Sequence, residues 1–215
     1  MAYKPLRKDL TETTQKCDFC PRFLTSLKAY VLEETETGKI AYAGPKCAED
    51  NLAHGYSIKG IPDLTKFTLS KDVGNEHGGV GGGGNNAGAI NNPRRQAIEY
   101  IILREEKLVS ELNCSYPVLK NYYESMQDKE LTDSEISHIN NIENKAPHNL
   151  KLSVLQRCYN YLFWIDIAID KLPDNKTDFL KDIRSKVVRR ATLSNEQKTA
   201  VNKWLENIDG VPCLK

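Results

Sequence analysis

Three of the six cysteines have the spacing of a metal site. Cys17 and Cys20 form a Cys-x-x-Cys pair, and Cys47 follows later in the N-terminal quarter of the chain. A Cys-x-x-Cys pair places two thiolates on one tight turn, where a tetrahedral zinc ion takes both sulfurs at about 2.3 Å. The other three cysteines stand far apart in the chain, which argues against a disulfide framework. The sequence therefore predicts one zinc ion held by Cys17, Cys20 and Cys47.

The fourth ligand has two candidates, Asp50 and His54, which both follow Cys47 in the chain. Asp50 lies three positions after Cys47 and shares its face if a helix begins there. His54 lies seven positions after Cys47, two turns along the same face, and reaches the metal only if the helix is tilted. Zinc accepts carboxylate and imidazole ligands alike. The sequence predicts Asp50 as the fourth ligand, with His54 as the alternative and water or an N-terminal group as a further one.

The donor set predicts a structural metal rather than a catalytic one. A catalytic zinc keeps three protein ligands and an open position, with an acid or base nearby. Three thiolates donate much charge to the metal and make it a poor Lewis acid. The deaminase signature is absent because no histidine precedes Cys17, and no hydrolase or paired-acid motif occurs elsewhere. We therefore expect no catalytic residues and no enzymatic activity.

The elements around the cysteines must bring them together. Branched and aromatic residues at positions 29–33 and 39–43, separated by a turn-like stretch at 34–38, predict a β-hairpin. Residues 46–54 follow Gly44-Pro45 and predict a short helix that ends at Gly55. A cysteine knuckle, a hairpin and a helix in this order are the parts of a treble-clef zinc finger.

Residues 14 to 55 carry a wider pattern that includes these parts. Its residues are Cys17, Cys20, Tyr30, Gly38, Ala43, Gly44, Cys47 and Asp50. This pattern resembles short zinc fingers of unknown function in bacteriophage and plasmid proteins, where a Cys-x-x-Cys pair precedes a Tyr-Val-Leu-like strand and a Gly-x-x-Cys helix start. The helical half, including Trp204, also looks like the C-terminal regions of such proteins. The resemblance implies a small zinc module in a phage-type protein and no particular chemistry.

A glycine-rich segment divides the chain. Eight of the thirteen glycines fall between Gly74 and Gly88, and such a composition buries too little apolar area to offset its backbone entropy. We expect an α+β protein with a treble-clef zinc-binding domain at residues 1–73, a flexible linker at 74–91 and an all-helical domain at 92–215. The nominal G-x-G-x-x-G within the linker lacks the preceding strand that a dinucleotide site requires.

The C-terminal part predicts about six helices joined by short loops. Three capping boxes mark helix starts, at Thr132, Ser153 and Ser194, each with Glu or Gln three positions later. Further helices are expected over residues 94–112, 116–127 and 177–190. The helix over 153–171 is apolar on more than one face, so we expect it at the centre of the domain.

Charge and hydropathy restrict the partners and the location. The chain has 30 basic and 29 acidic residues, which excludes a global excess of positive charge. No apolar stretch follows the basic N-terminus, and none reaches the roughly 20 residues that a membrane span requires. We expect a cytoplasmic protein without a membrane partner or a small-molecule substrate, in the bacterial host cytoplasm if it is phage-encoded.

Two local groups of residues are candidates for binding a partner. The first is a basic group that suits phosphate binding, or simply complements a helix dipole: Arg184, Lys186, Arg189 and Arg190. The second lies around the cysteines and adds aromatic rings that stack on a base or pack on a protein: Lys16, Arg22, Phe19 and Phe23.

The predicted function is a non-enzymatic, zinc-binding, phage-type protein that binds nucleic acid or a nucleic-acid-handling complex in transcription or replication. The alternative is a protein-protein inhibitor that docks on a host polymerase or a defence nuclease. An unrecognised enzyme is the second alternative.

Overall fold

The computed structural model describes residues 2–67 and 92–215 and shows an α+β fold. Two small antiparallel sheets lie in the N-terminal part, and helices make up most of the C-terminal part. The glycine-rich linker predicted at 74–91 lies outside the described residues. The division of the chain into domains at that segment stays a prediction.

The two sheets are built from short strands. They are β1 (Tyr3–Leu10), β2 (Gln15–Lys16), β3 (Phe23–Leu24), β4 (Lys28–Glu34) and β5 (Ile40–Ala43). The larger sheet has the order β1-β4-β5, and β2 pairs with β3. The predicted hairpin is confirmed as β4 and β5, and its turn holds Gly38 at a φ of +70°, which glycine adopts without a steric cost. Strand β1 was not predicted.

A bulge in β1 decides which way its side chains point. Pro5 lies opposite Leu32 and Arg7 lies opposite Val31, so Leu6 has no partner on β4. The extra residue shifts the alternation of the strand and turns Arg7 and Asp9 to the face of the sheet opposite the one that Pro5 occupies. That second face packs against the helical part of the protein.

The helices follow the predicted order. They are α1 (Pro45–Asp50), α2 (Pro93–Ile101), α3 (Val109–Leu112), α4 (Pro117–Asp128), α5 (Asp133–Lys145), α6 (Leu152–Lys171), α7 (Asp178–Arg190) and α8 (Asn195–Leu205). The single helix expected over 94–112 is interrupted, because Ile102–Lys107 forms a π-helical turn between α2 and α3. Helix α6 is buried along most of its length, which confirms its central place.

Two of the three predicted capping boxes are confirmed. Thr132 and Ser194 each accept a hydrogen bond from the backbone amide three residues later. The Glu or Gln side chain at that later position accepts one from the backbone amide of the cap residue. The box at Ser153 is wrong, because α6 begins one residue earlier and Ser153 caps nothing. The Gln156 side chain donates instead to Glu99 at 2.6 Å, so a tertiary contact replaces the local one.

One buried carboxylate connects the sheet to the helices. The Asp9 side chain is 4% exposed and accepts hydrogen bonds from Lys107 Nζ at 2.8 Å, Tyr159 Oη at 2.8 Å and Arg7 Nε at 2.9 Å, with a fourth from the Leu10 amide. Burial favours a raised pKa for Asp9, but the cations Lys107 and Arg7 outweigh it and hold that pKa below its ordinary value. The charge is therefore compensated inside the protein.

A second buried carboxylate makes a similar connection. The Glu99 side chain on α2 is 1% exposed and binds Lys66 Nζ at 2.8 Å. It also accepts hydrogen bonds from the Asp63 amide at 3.0 Å and from Gln156 Nε2, and it forms an ion pair with Arg95 Nε at 3.2 Å. Because Lys66 and Asp63 belong to the N-terminal part, that part is attached to the helices at two charged points.

We predict that Asp9→Asn lowers the free energy of unfolding by about 3–5 kcal/mol, because it leaves two cations beside a neutral group in a buried site. Urea denaturation measures the loss. Glu124→Gln is the matched control, since Glu124 forms an exposed pair with Lys120 and its removal should cost less than about 0.5 kcal/mol. Equal effects of the two substitutions would contradict the role given to Asp9.

The effect of Asp9→Asn on the free energy of unfolding should depend on pH. The folded-state pKa of Asp9 is lowered, so its contribution is complete above the unfolded pKa of about 3.9 and is lost as the pH falls through the folded pKa. The stability difference between wild type and Asp9→Asn should be full at neutral pH and should shrink below about pH 4. A difference that does not change over this range would contradict the assignment.

Candidate metal centre

The first two cysteines lie on a tight turn between β2 and β3. The Cys17 amide donates to the Arg22 carbonyl at 2.9 Å, which closes the turn. Cys17 is buried and Cys20 is half-buried. The two-residue strands on either side pair Gln15 with Leu24, so the turn is the end of a small hairpin. We call this hairpin, residues 15–24, the knuckle.

The third cysteine lies in the first turn of α1. Pro45 occupies the first helical position, where its fixed φ and missing N–H suit a helix start. Ala48 is fully buried in the cluster that contains Leu32 and Ala43, so α1 packs on the sheet face opposite Asp9. The three-stranded sheet therefore lies between the thiol cluster and the C-terminal helices.

Asp18 fastens the knuckle to the edge of the larger sheet. Its amide donates to the Tyr42 carbonyl at 3.0 Å, and its carboxylate accepts from the Tyr42 amide at 2.6 Å. Tyr42 is the third residue of β5, the strand that leads into α1. These two hydrogen bonds therefore fix the positions of Cys17 and Cys20 relative to Cys47.

The three thiols converge on one point. The Sγ atoms of Cys17, Cys20 and Cys47 all lie within 4.8 Å of one another. In a tetrahedral zinc site with Zn–S bonds of about 2.3 Å, neighbouring sulfurs lie about 3.8 Å apart. Across residues 2–67 and 92–215, this is the single cluster of three or more His, Cys, Asp or Glu side chains able to hold a metal ion.

Hydrogen bonds within the cluster shift the pKa values of Cys17 and Cys47 in opposite directions. Burial favours a raised pKa for Cys17, but backbone amides at Phe19 and Gly44 and the neighbouring thiols stabilise its thiolate and lower that pKa. The pKa of Cys47 is raised to about 11, first by its hydrogen bond with Cys20 and then by burial. A metal ion binds thiolates, so filling this site displaces protons from the cluster.

The predicted fourth ligands lie outside the cluster. Asp50 is exposed at the last position of α1, and its carboxylate does not join the three thiols. His54 is exposed and is not helical, because α1 ends at Asp50 instead of continuing to residue 54. The Asn51 side chain donates to the Cys47 carbonyl, and the next residues bond to Tyr3 on β1. The helical argument for His54 was therefore wrong.

The basic group on α7 is largely engaged with the protein itself. Arg184 makes two hydrogen bonds to Asp166 and two to Glu111, and Lys186 Nζ binds Asp182 at 2.5 Å. Arg189 is exposed and donates to the Ser185 carbonyl on its own helix, while Arg190 is exposed at the last position of α7. Two of the four predicted cations thus have their charge balanced by carboxylates.

The residues of the knuckle are placed differently. Phe23 is 60% exposed and stands directly opposite Lys16 on the paired strand, with Arg22 beside it. Among the described residues, neither Lys16 nor Arg22 has a carboxylate partner. Phe19 is half-buried and packs edge-to-face on Tyr3 at 4.9 Å, so its ring supports the knuckle instead of standing free.

Sequence reasoning missed the residues that position the centre. The sequence analysis assigns no role to Asp18, although a short acceptor inside a tight turn is a common way to bind a neighbouring amide. Lys107 and Tyr159 carried no signal, because the π-helical turn and the partner on β1 are set by tertiary packing.

Comparison with known protein families, with curated proteins and with solved structures gives no match for this chain. In the described part of the chain, no helix combines the length and the apolar character that crossing a bilayer demands. The resemblance to phage and plasmid zinc fingers stays a prediction. Function is therefore inferred from the geometry of the site.

We predict one metal ion per chain, measured by element-specific mass spectrometry on the purified protein. Cys17→Ser and Cys47→Ser should abolish retention, because two remaining thiols cannot close a tetrahedral site. Helical circular dichroism should persist, since none of the three cysteines belongs to the helical core. Cys213→Ser removes a half-buried thiol outside the cluster and should keep the metal. A folded wild-type protein without metal would contradict the site.

Proposed function

We propose that this chain is a non-enzymatic zinc-binding protein that binds nucleic acid through its knuckle. The metal is zinc in a structural role, and the knuckle, the β4–β5 hairpin and α1 together form a treble-clef finger. Three converging thiols and their order along the chain support this proposal. Thiolates suit zinc, and they leave the metal a poor Lewis acid.

Asp50 is the proposed fourth ligand. It lies three positions after Cys47, one helical turn along α1, and it is exposed with no hydrogen bond to another side chain among the described residues. Asp50→Ala should release zinc to a chelator faster than wild type, and His54→Ala should not. Faster release from His54→Ala alone would transfer the role to His54, and no change in either variant would leave the position to water.

The observation that carries the binding function is the exposed ring of Phe23, with Lys16 opposite it on the paired strand and Arg22 before it in the chain. Neither cation has a carboxylate partner in the part of the chain that the structure describes. Exposed aromatic rings stack on bases, and neighbouring Lys and Arg side chains neutralise phosphates. Lys16 and Arg22 are both exposed, so their charges are available to a partner. The metal would fix the turn that presents all three side chains.

The α7 residues support this function less well than the knuckle does. Arg184 is balanced by two carboxylates and is half-buried, so freeing it for a phosphate would leave Asp166 and Glu111 unpaired. Its guanidinium pKa is raised, first by the hydrogen bonds to these carboxylates, which shows how strongly they hold its charge. We assign phosphate contacts to Lys16 and Arg22 first, with Arg189 and Arg190 as secondary candidates.

We predict binding of labelled oligonucleotides that weakens steeply with salt, measured by fluorescence anisotropy at several salt concentrations between about 50 and 200 mM. Replacing both Lys16 and Arg22 by Ala should reduce the slope of log K against log salt by about 1.4–1.8, which corresponds to two lost phosphate contacts. Lys186→Ala is the matched control and should leave the slope unchanged, because Asp182 already balances this residue.

The result also separates nucleic-acid binding from protein docking. Phe23→Ala should weaken oligonucleotide binding without changing the salt slope, because a stacked ring contributes no charge. Absence of binding to single-stranded and double-stranded probes at low salt would contradict the proposal. In that case the exposed Phe23 would fit better as an anchor for a protein partner.

A further inference from the structure

A second exposed aromatic site lies at the other end of the chain, between α7 and α8. The rings of Phe179 and Trp204 are stacked, with centroids 5.3 Å apart and planes 22° from parallel. They form one wall of an open cavity of about 550 Å³, which Asn195, Thr199 and Lys203 also line. We call this cavity the aromatic groove.

The indole of Trp204 remains accessible within this groove. Its residue is 37% exposed, whereas Trp164 on α6 is 1% exposed and belongs to the core. Phe179 covers one face of the Trp204 ring and is itself packed against the core, so the ring is held in a fixed orientation. A fixed, exposed indole is a surface on which another planar ring can stack.

The polar groups of the groove are available to a ligand. In residues 2–67 and 92–215, the side chains of Asn195, Thr199 and Lys203 make no hydrogen bond or ion pair. Glu196 also lines the groove, and its carboxylate accepts a hydrogen bond from Ser194 Oγ at 2.8 Å at the start of α8 while keeping its negative charge. The groove thus combines an aromatic platform with a free ammonium, a free amide and a free hydroxyl.

We infer that the aromatic groove binds an unpaired base of single-stranded nucleic acid, with Lys203 on the adjoining phosphate. The inference rests on the proposed function and specifies its substrate class. The base stacks on Trp204, while Asn195 and Thr199 supply donors and acceptors for its edge. A duplex does not offer this contact, because its base faces are covered by neighbouring bases. Lys203 supplies charge complementary to a phosphate, and the cavity is open to solvent, so a nucleic-acid chain can reach it.

Tryptophan fluorescence offers a direct test on the full-length protein. The chain has two tryptophans, and the buried Trp164 is shielded from a ligand, so stacking of a base should quench the emission of Trp204. The probe is oligodeoxythymidine of about 12 nucleotides, within the site sizes known for single-strand binders. The same strand annealed to its complement should bind more weakly and should not quench.

Trp204→Ala should reduce the affinity for the oligodeoxythymidine probe by about 5- to 150-fold, the range for one lost stacking contact. Trp204→Phe should keep most of the affinity, because a smaller ring still stacks. Tyr56→Ala is the matched control, since Tyr56 is 45% exposed and lies outside both the groove and the knuckle. Thermal unfolding of each variant shows whether it is folded, and Trp204→Phe keeps the test valid if Trp204→Ala is not.

The outcomes distinguish this inference from the proposed function. If Phe23→Ala weakens binding but Trp204→Ala and Trp204→Phe bind as wild type does, the groove assignment is wrong and the knuckle assignment remains. Quenching by duplex equal to that by single strand would overturn the single-strand specificity. If the wild-type protein binds neither probe at low salt, the proposed function fails and the groove inference fails with it.

Discussion

The buried charge of Asp9 is the constraint on which the rest of the structure depends. Removing a carboxylate from water is costly unless hydrogen bonds and opposite charges replace the solvent. Arg7 supplies one partner from the same strand, and Lys107 and Tyr159 supply others from two different helical segments. Because no single element satisfies Asp9, its compensation requires the strand, the π-helical turn and α6 to be in place together. The fold and the position of the sheet are therefore specified jointly.

The three-stranded sheet is a middle layer whose two faces make different contacts. One face, through Leu32 and Ala43, packs on α1 and the thiol cluster. The other face carries Asp9 toward the helices. A change that shifts the strands therefore acts both on the thiol cluster and on the contacts between Asp9 and the helical part. The knuckle stands at the edge of this layer, where Asp18 binds it to β5, and its Phe23 ring is exposed.

Features that depend on interactions within a few residues were predictable from the sequence. Contacts between residues that are distant in the sequence were not. The Cys-x-x-Cys pair, the β4–β5 hairpin and the caps at Thr132 and Ser194 follow from interactions within a few residues, and the structure confirms their convergence, pairing and capping. Strand β1 was missed because its bulge breaks the alternation and its Lys and Arg residues resemble a solvated tail. The sequence predicts Arg184 as a phosphate-binding or dipole-complementing residue and does not show its ion pairs, because its carboxylate partners Asp166 and Glu111 are distant in sequence. Ser153 shows the converse case, in which a valid local motif gives way to a contact with Glu99.

The unpaired residue Leu6 has a consequence for how the N-terminal strand can change over time. A substitution at Leu6 leaves the count of residues between Pro5 and Arg7 intact, so Asp9 still reaches Lys107. Deleting Leu6 would make Pro5 and Arg7 consecutive and remove the bulge, while Arg7 and Asp9 could keep their present partners Val31 and Ala29 on β4. The strand should therefore accept both varied side chains at position 6 and the loss of that residue, because neither change alters the pairing that directs Asp9 toward Lys107.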